Sequence, residues 1–364
     1  MSITLKSDVI IIGAGLSGMT AAFQLLQQVN PPQVVVFEAR NRIGGRIYTV
    51  EEGLDLGPTW FWSENKHVKE LLSLFRIDFF EQYETGHHLF QSSVDAPVKR
   101  FASDDSYSVP SYRFTGGTVS LVNALKDQLN HDTIQFQKVV KCIQVLEEEK
   151  CVQVQLENGQ QWQASHVIVT LPPHLAATTL SYDPPLPATL QNIMQSTPTW
   201  MGQAMKVALR YSQPFWRDEQ LSGMAVSHTG PVQQFHDASN ENVAGLFGWV
   251  TDRGTRMTTE ARRQAVLRQV VQLFGPQAAV PLAYHEMNWG EEPLTNNAEG
   301  NPVVARGHPT YGHAALQVPW EGRVWWATTE ASHVSGGYLD GAICIGRRVA
   351  QAVAERLKQE VDES

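Results

Sequence analysis

The sequence predicts a mixed α/β chain in which a Rossmann-like nucleotide-binding domain is interleaved with a smaller α+β domain. Three observations carry this. A glycine-rich turn joins an apolar strand to a helix near the start, an acid closes a second apolar strand, and a second glycine-rich helix start lies near the end. Asp8 to Ile12 is a short apolar run suited to a buried parallel strand. Gly13-Ala14-Gly15-Leu16-Ser17-Gly18 follows at once, then a helical pattern through Met19, Phe23 and Leu26. A second β-rich run, Val34 to Phe37, ends in Glu38, twenty residues past Gly18, where a ribose-binding carboxylate belongs.

The chemistry of this unit is specific. Gly13 allows the tight turn, Gly15 lets the backbone approach a pyrophosphate, and Gly18 lets the helix pack closely on the strand. Leu16 and Ser17 open the helix, whose unpaired N–H groups and positive dipole end face the phosphates. Glu38 can accept hydrogen bonds from both ribose hydroxyls and would repel a 2′-phosphate. Glycines are common in turns, but here strand, glycines, helix, second strand and acid sit in register.

Ala39-Arg40-Asn41-Arg42-Ile43-Gly44-Gly45-Arg46 places three arginines and two adjacent glycines just past the acid. A nicotinamide dehydrogenase has no general need of such a segment. A protein that keeps its cofactor gains from extra cations and close backbone approach at the diphosphate. The segment resembles the E-A-R-x-R-x-G-G-R signature of the flavin amine oxidase family, which includes monoamine, polyamine and L-amino-acid oxidases. The resemblance implies FAD, with Ala39, Arg40, Gly45 and Arg46 on the cofactor; Arg42 alone is also readable as a solvated turn residue. Asp55-Leu56-Gly57 is close to that family's D-x-G-G pattern, with Pro58 replacing the second glycine. Gly57, Pro58, Thr59 and Trp60 are therefore expected beside the flavin, on a backbone altered by the proline.

Composition agrees with an enzyme having a large core: 364 residues, 42% hydrophobic and 18% charged. A formal net charge of −9 without a basic block argues against nucleic acid. Cys142, Cys151 and Cys344 have no metal spacing, so free thiols in a reducing compartment are expected. The first strand starts within about ten residues of Met1, leaving no room for a signal peptide. No apolar stretch approaches the roughly 20 residues of a membrane span, so the expected location is the cytoplasm.

The resemblance implies an interleaved architecture: residues 1–75, 112–198 and 305–364 for FAD, residues 76–111 and 199–304 for substrate. Glu64 to Leu74 reads as helix, 77–109 as irregular, and 119–129 as helix after Arg113-Phe114-Thr115-Gly116-Gly117. The family's helical insertion in this region is longer, which implies a reduced lid here. Val139 to Ile143, Cys151 to Leu156 and His166 to Leu171 read as strands, with Asn158-Gly159 a hairpin turn. In the family one such strand presents a backbone valine to the adenine, which Val140 matches; plain core packing is the alternative.

Met205 to Leu209 alternates like a strand with Lys206 embedded among apolar residues, ahead of Pro214-Phe215-Trp216. This looks like the family's lysine that holds a water against flavin N5. A desolvated ammonium there can steer dioxygen reduction, because the developing products are anionic. The alternative is a lysine pointing outward from a half-exposed strand. Asn288-Trp289 matches the pair whose indole packs near the flavin in relatives. Thr328-Thr329-Glu330-Ala331 resembles the family's G-T-E-T segment and implies Glu330 at the ribityl or phosphate linkage. Gly336-Gly337-Tyr338-Leu339-Asp340-Gly341-Ala342 opens the last helix, with Gly337, Leu339 and Ala342 aimed at the flavin. Tyr338 matches one wall of the aromatic cage through which amines reach it.

The departures are equally informative. The covalent monoamine oxidases carry a cysteine–tyrosine pair after the N-W motif, and those positions fall near Ala298 and Glu299. FAD is therefore expected to be bound non-covalently. Glu299 either pairs with a second cation of the substrate or is a loop acid; Tyr311, Trp60 and Phe235 are candidate substitute walls. The reading is FAD-dependent oxidation of an amine by dioxygen, yielding an imine and hydrogen peroxide. A carbon–carbon desaturase or porphyrinogen-type oxidase of the same fold, and a low-turnover flavin scaffold, are the alternatives. The scattered histidines give metal catalysis little support.

Overall fold

The computed structural model describes residues 4–102, 109–296 and 307–363. Leu5–Ile12 is a central strand, paired in parallel with Val34–Glu38 on one side and Gln161–Val169 on the other. Val9, Ile10 and Ile11 are fully buried. A strand covered on both faces has no side for polar residues, which explains its continuous apolar run. The sheet runs in the order Ser181–Asp183, Val140–Leu146, Cys151–Leu156, Gln161–Val169, Leu5–Ile12, Val34–Glu38, Ile134–Phe136. Val324–Trp326 joins the far end of Gln161–Val169. The Asn158-Gly159 turn closes the antiparallel hairpin, with Gly159 at φ +83°.

The helices Leu16–Leu26 and Leu339–Asp362 pack against each other and this sheet. A Cβ on Gly346 would meet Ser17 O at 2.5 Å, so the glycine sets how closely the two helices approach. The last helix also caps another, because Asp340 Oδ1 accepts the Val68 N–H of Lys66–Phe75 at 3.0 Å.

A second sheet has the order Ala283–Asn288, Met205–Tyr211, Ala244–Val250, Val232–Asp237, Leu221–Ser227, His87–Gln91, Lys99–Ala102. The Thr259–Phe274 helix covers it through Val266, Val270, Leu273 and Phe274. A small third sheet holds Phe61–Trp62, Ser111–Phe114 and Phe79–Glu81. The segment expected to be irregular, 77–109, thus contributes three strands among its described residues. Each is three to five residues long, and His87–Gln91 pairs in parallel with Leu221–Ser227. Such a strand is stabilised by a distant partner, so its own sequence carries no visible alternation. No helix among the described residues is long and apolar enough to cross a membrane.

Candidate functional site

The glycine turn takes the shape its sequence demands. Gly13 sits at φ +107°, and a Cβ there would meet Thr170 Oγ1 at 2.4 Å. A Cβ on Gly18 would meet Gly13 O at 2.0 Å, so this glycine brings helix and strand together and stands behind the cavity wall. The helix starting at Leu16 has no side-chain cap, leaving its first N–H groups for a ligand. Glu38 is almost fully buried, and its two oxygens accept the Ala14 and Arg40 N–H groups, each at 2.8 Å. Arg40 bonds Thr295 and lies 3.3 Å from Glu292. Arg42 donates to the carbonyls of Ile43, Gly45 and Ile47 and lies over the Tyr48 ring, so it braces the Gly44-Gly45 turn.

A cavity of about 610 Å³ starts at this grip and runs to the second sheet. Its nucleotide end is lined by Gly13, Gly15, Leu16, Ser17, Glu38, Ala39, Arg40, Gly45, Arg46 and Val140. Lys138 and Lys141, which flank Val140 and went unnoticed in the sequence, also line it. Its other end is lined by Gly57, Pro58, Thr59, Trp60, Lys206, Trp289, Gly337, Tyr338, Leu339 and Ala342.

Lys206 is the cation at the join. Alternation on Met205–Tyr211 turns it inward, where it is 4% exposed. Its ammonium donates to Asp55 O (3.1 Å), Gly57 O (2.9 Å) and Thr59 Oγ1 (2.5 Å), and lies 4.1 Å from the Phe247 ring centroid. Burial pushes its pKa down to about 7, against the pull of Asp55 and with the repulsion of Arg113. Burial raises the pKa of Asp55, whose Oδ1 accepts Thr49 and the Thr118 N–H. His236 stacks on Phe247 and edges onto Trp60 and Trp249; burial and then Lys206 drive its pKa to about 3. Trp289 is fixed by its indole N–H on Leu56 O, 2.9 Å away.

Several expected positions differ. Phe235 is fully buried in the core against Phe274, because on Val232–Asp237 it faces the covering helix, away from the cavity. Tyr311 stands behind the wall rather than in it: its ring packs under Gly336 and Gly337, and its hydroxyl donates to Pro198 O at 2.7 Å. Glu330 does not reach the cavity directly. It is completely buried, accepts Arg46 through two bonds (2.6 and 3.2 Å) and takes the Thr328 hydroxyl, so Arg46 stands between it and the cavity. Glu299 and Ala298 lie outside the described residues.

The walls that sequence reading missed are Trp62, Trp200 and Trp249, with His308 beside Trp200. Trp200 and Trp249 line the cavity, and Trp200 lies 6.2 Å from the Tyr338 ring. His308 stacks on Tyr338 at 4.8 Å and 10°. Trp200 sits on the turn 198–204, held by Tyr311 on Pro198 O and by Asn296 on Gly202 O. Nothing in the local pattern separates this tryptophan from core ones.

The donor set suits a long dinucleotide. Arg40, Arg46, Lys138, Lys141 and Lys206 line the cavity, and Glu38 is the one carboxylate among its described lining residues. Cations and an uncapped helix start match a diphosphate, Glu38 matches a ribose, and the tryptophans match a flat ring.

The family model described as flavin containing amine oxidoreductase matches residues 74–354, and that of an NAD(P)-binding Rossmann-like domain matches 11–75. A probable flavin-containing monoamine oxidase A of Dictyostelium discoideum is 23% identical, over 96% of this chain and 98% of that protein. An L-amino acid dehydrogenase of Synechocystis is 29% identical, over 95% and 94%. Among solved structures, putrescine oxidase bound to putrescine superposes with a TM-score of 0.81 at 22% identity, over 96% of this chain and 99% of that one. Cyclohexylamine oxidase from Brevibacterium oxydans does so with 0.81 at 23%, over 97% and 99%. Fold and site define a flavin-dependent oxidoreductase with FAD as cofactor. The chain belongs to the flavin-containing amine oxidoreductase family.

Proposed function

We propose that this protein oxidises an amine to an imine, which water hydrolyses, and passes the electrons to dioxygen to give hydrogen peroxide. The observation that carries the reading is the single cavity joining the dinucleotide grip to a tryptophan-rich end with Lys206 at the join. Bound FAD supplies two-electron acceptance from the substrate and delivery onward. Glu38 and the Leu16 helix start would hold its ribose and diphosphate, Arg40 and Arg46 would add charge, and Trp289 would back the ring. Residues 1–75, 112–198 and 305–364 carry the cofactor in this reading, and 76–111 and 199–304 shape the substrate side.

Trp60, Trp62, Trp200, Trp249 and Tyr338 make the far end apolar and flat, which favours an amine with an apolar body. With Lys206 in the same cavity, the amine enters neutral and no side-chain base is required. Glu299 would select a second cationic group if it reaches this end. The free cysteines favour a reducing compartment such as the cytoplasm.

Anaerobic bleaching of the flavin absorbance against mono-, di- and polyamines and amino acids tests the reading, with peroxide measured on admitting air. Bleaching without peroxide would support electron transfer to another acceptor, the reading favoured by likeness to the Synechocystis L-amino acid dehydrogenase. No bleaching by any amine would overturn both.

A further inference from the structure

Lys206 has three oxygen partners, and they are of two kinds. Asp55 O and Gly57 O are backbone carbonyls, which only accept; Thr59 Oγ1 belongs to a hydroxyl, which both accepts and donates. An ammonium has three N–H donors, so in the charged state all three are used by these oxygens. Thr59 then keeps its own hydroxyl proton, for which there is no acceptor among the described residues. Thr59 is 4% exposed and lines the cavity. A free amine has two N–H groups and one lone pair. The two carbonyls hold the two donors, and the third contact persists only if the Thr59 hydroxyl donates to Nζ.

We propose that Thr59 is the group through which Lys206 acts on the contents of the cavity. With Lys206 charged, Thr59 offers the cavity a polarised O–H donor. With Lys206 neutral, one proton has left to solvent, the Thr59 O–H turns back to Nζ, and only oxygen lone pairs face the cavity. Lys206 is thus a positioning residue and Thr59 the contact. The proposal rests on FAD filling this cavity, and not on which substrate is oxidised.

The switch falls near neutrality because burial brings Lys206 to about 7. The charged and titratable groups facing Lys206 are Arg113, His236 and Asp55. Arg113 donates to the carbonyls of Ala238 and Ser239, burial keeps His236 neutral, and Asp55, whose pKa burial raises, accepts from Thr49 and the Thr118 N–H.

The test uses FAD-loaded wild type, Thr59→Ser, Thr59→Val, Lys206→Met and the Thr59→Val/Lys206→Met double variant, with Thr59→Ala as a second deletion should the valine misfold. Two readouts are taken from pH 5.5 to 9: the visible absorbance of the oxidised protein, and the rate of reoxidation by dioxygen after photochemical reduction without amine. In wild type and Thr59→Ser the absorbance should change through about pH 7, and the rate should fall roughly tenfold or more as the donor is withdrawn. Thr59→Val should show neither change, remain slow throughout, and be made no slower by adding Lys206→Met. A Thr59→Val protein that keeps both pH steps, or additive losses in the double variant, would show that Lys206 acts directly and overturn the proposal. Because no amine is used, failure of the proposed oxidation would leave this result intact.

Discussion

Arg46 and Glu330, 284 positions apart, form a two-pronged ion pair with N–O distances of 2.6 and 3.2 Å. The pair joins the glycine-arginine segment after the second strand to the segment before the last helix. Glu330 is wholly buried and also takes the Thr328 hydroxyl, so its charge is satisfied by groups from both parts of the fold. Burial alone would lower the Arg46 pKa; Glu330 more than offsets this and raises it.

Glu330→Gln should weaken both the fold and the cofactor grip. Arg46 is 27% exposed on the cavity side, so the loss should stay below the roughly 3–5 kcal/mol that breaking a fully buried pair costs. Thermal melting should show a lower midpoint, and fluorimetric titration should show weaker FAD binding. An unchanged melting point and affinity would mean that the pair contributes little.

Lys206 makes stability depend on alkaline pH. Its folded pKa, about 7, lies below its ordinary 10.5, so between these values the unfolded chain binds more protons. Stability from this group therefore rises with pH across that window, by at most about 1.4 kcal/mol per pH unit, and is at its lowest below pH 7. Denaturant unfolding of wild type and Lys206→Met with saturating FAD should diverge in the wild type's favour as pH rises. Parallel curves would contradict the buried charge.

FAD should leave the protein on acid precipitation. The cysteines of this chain are Cys142, Cys151 and Cys344, and none of them lines the cavity. Flavin absorbance confined to the supernatant is the expected result; flavin in the washed pellet would reverse it.

Trp200→Ala should raise the KM for an apolar amine while leaving FAD content intact. Full burial of a large side chain contributes about 1.5–3 kcal/mol, so an increase of roughly tenfold or more is expected if substrate lies against this indole. Steady-state kinetics on whichever amine bleaches the flavin decides it, and an unchanged KM would place the substrate elsewhere.

Much of the nucleotide end was legible because its requirements are local. Gly13 needs a positive φ, Gly18 needs a missing side chain, and Glu38 needs only to close the next strand, so type and spacing suffice. The strands of 87–102 were not legible, since His87–Gln91 is fixed by its partner 221–227, Lys99–Ala102 pairs in turn with His87–Gln91, and within such short runs no period develops. Phe235 and Tyr311 failed as walls for a related reason. Residue type announces an aromatic ring, while the face of the strand and the packing under Gly336 decide where it points.

The amino-acid order was thus enough for the βαβ unit, the last glycine-rich helix and the kind of cofactor, because neighbouring residues meet those demands through backbone geometry and charge. Three-dimensional packing assigned the rest. It gave Lys206 three oxygens from the 55–59 loop, set Arg46 between Glu330 and the cavity, and brought Trp200 to Tyr338. Each of these depends on contacts between segments distant in the chain, and their distances and burial, not their spacing, fix what the side chains can do.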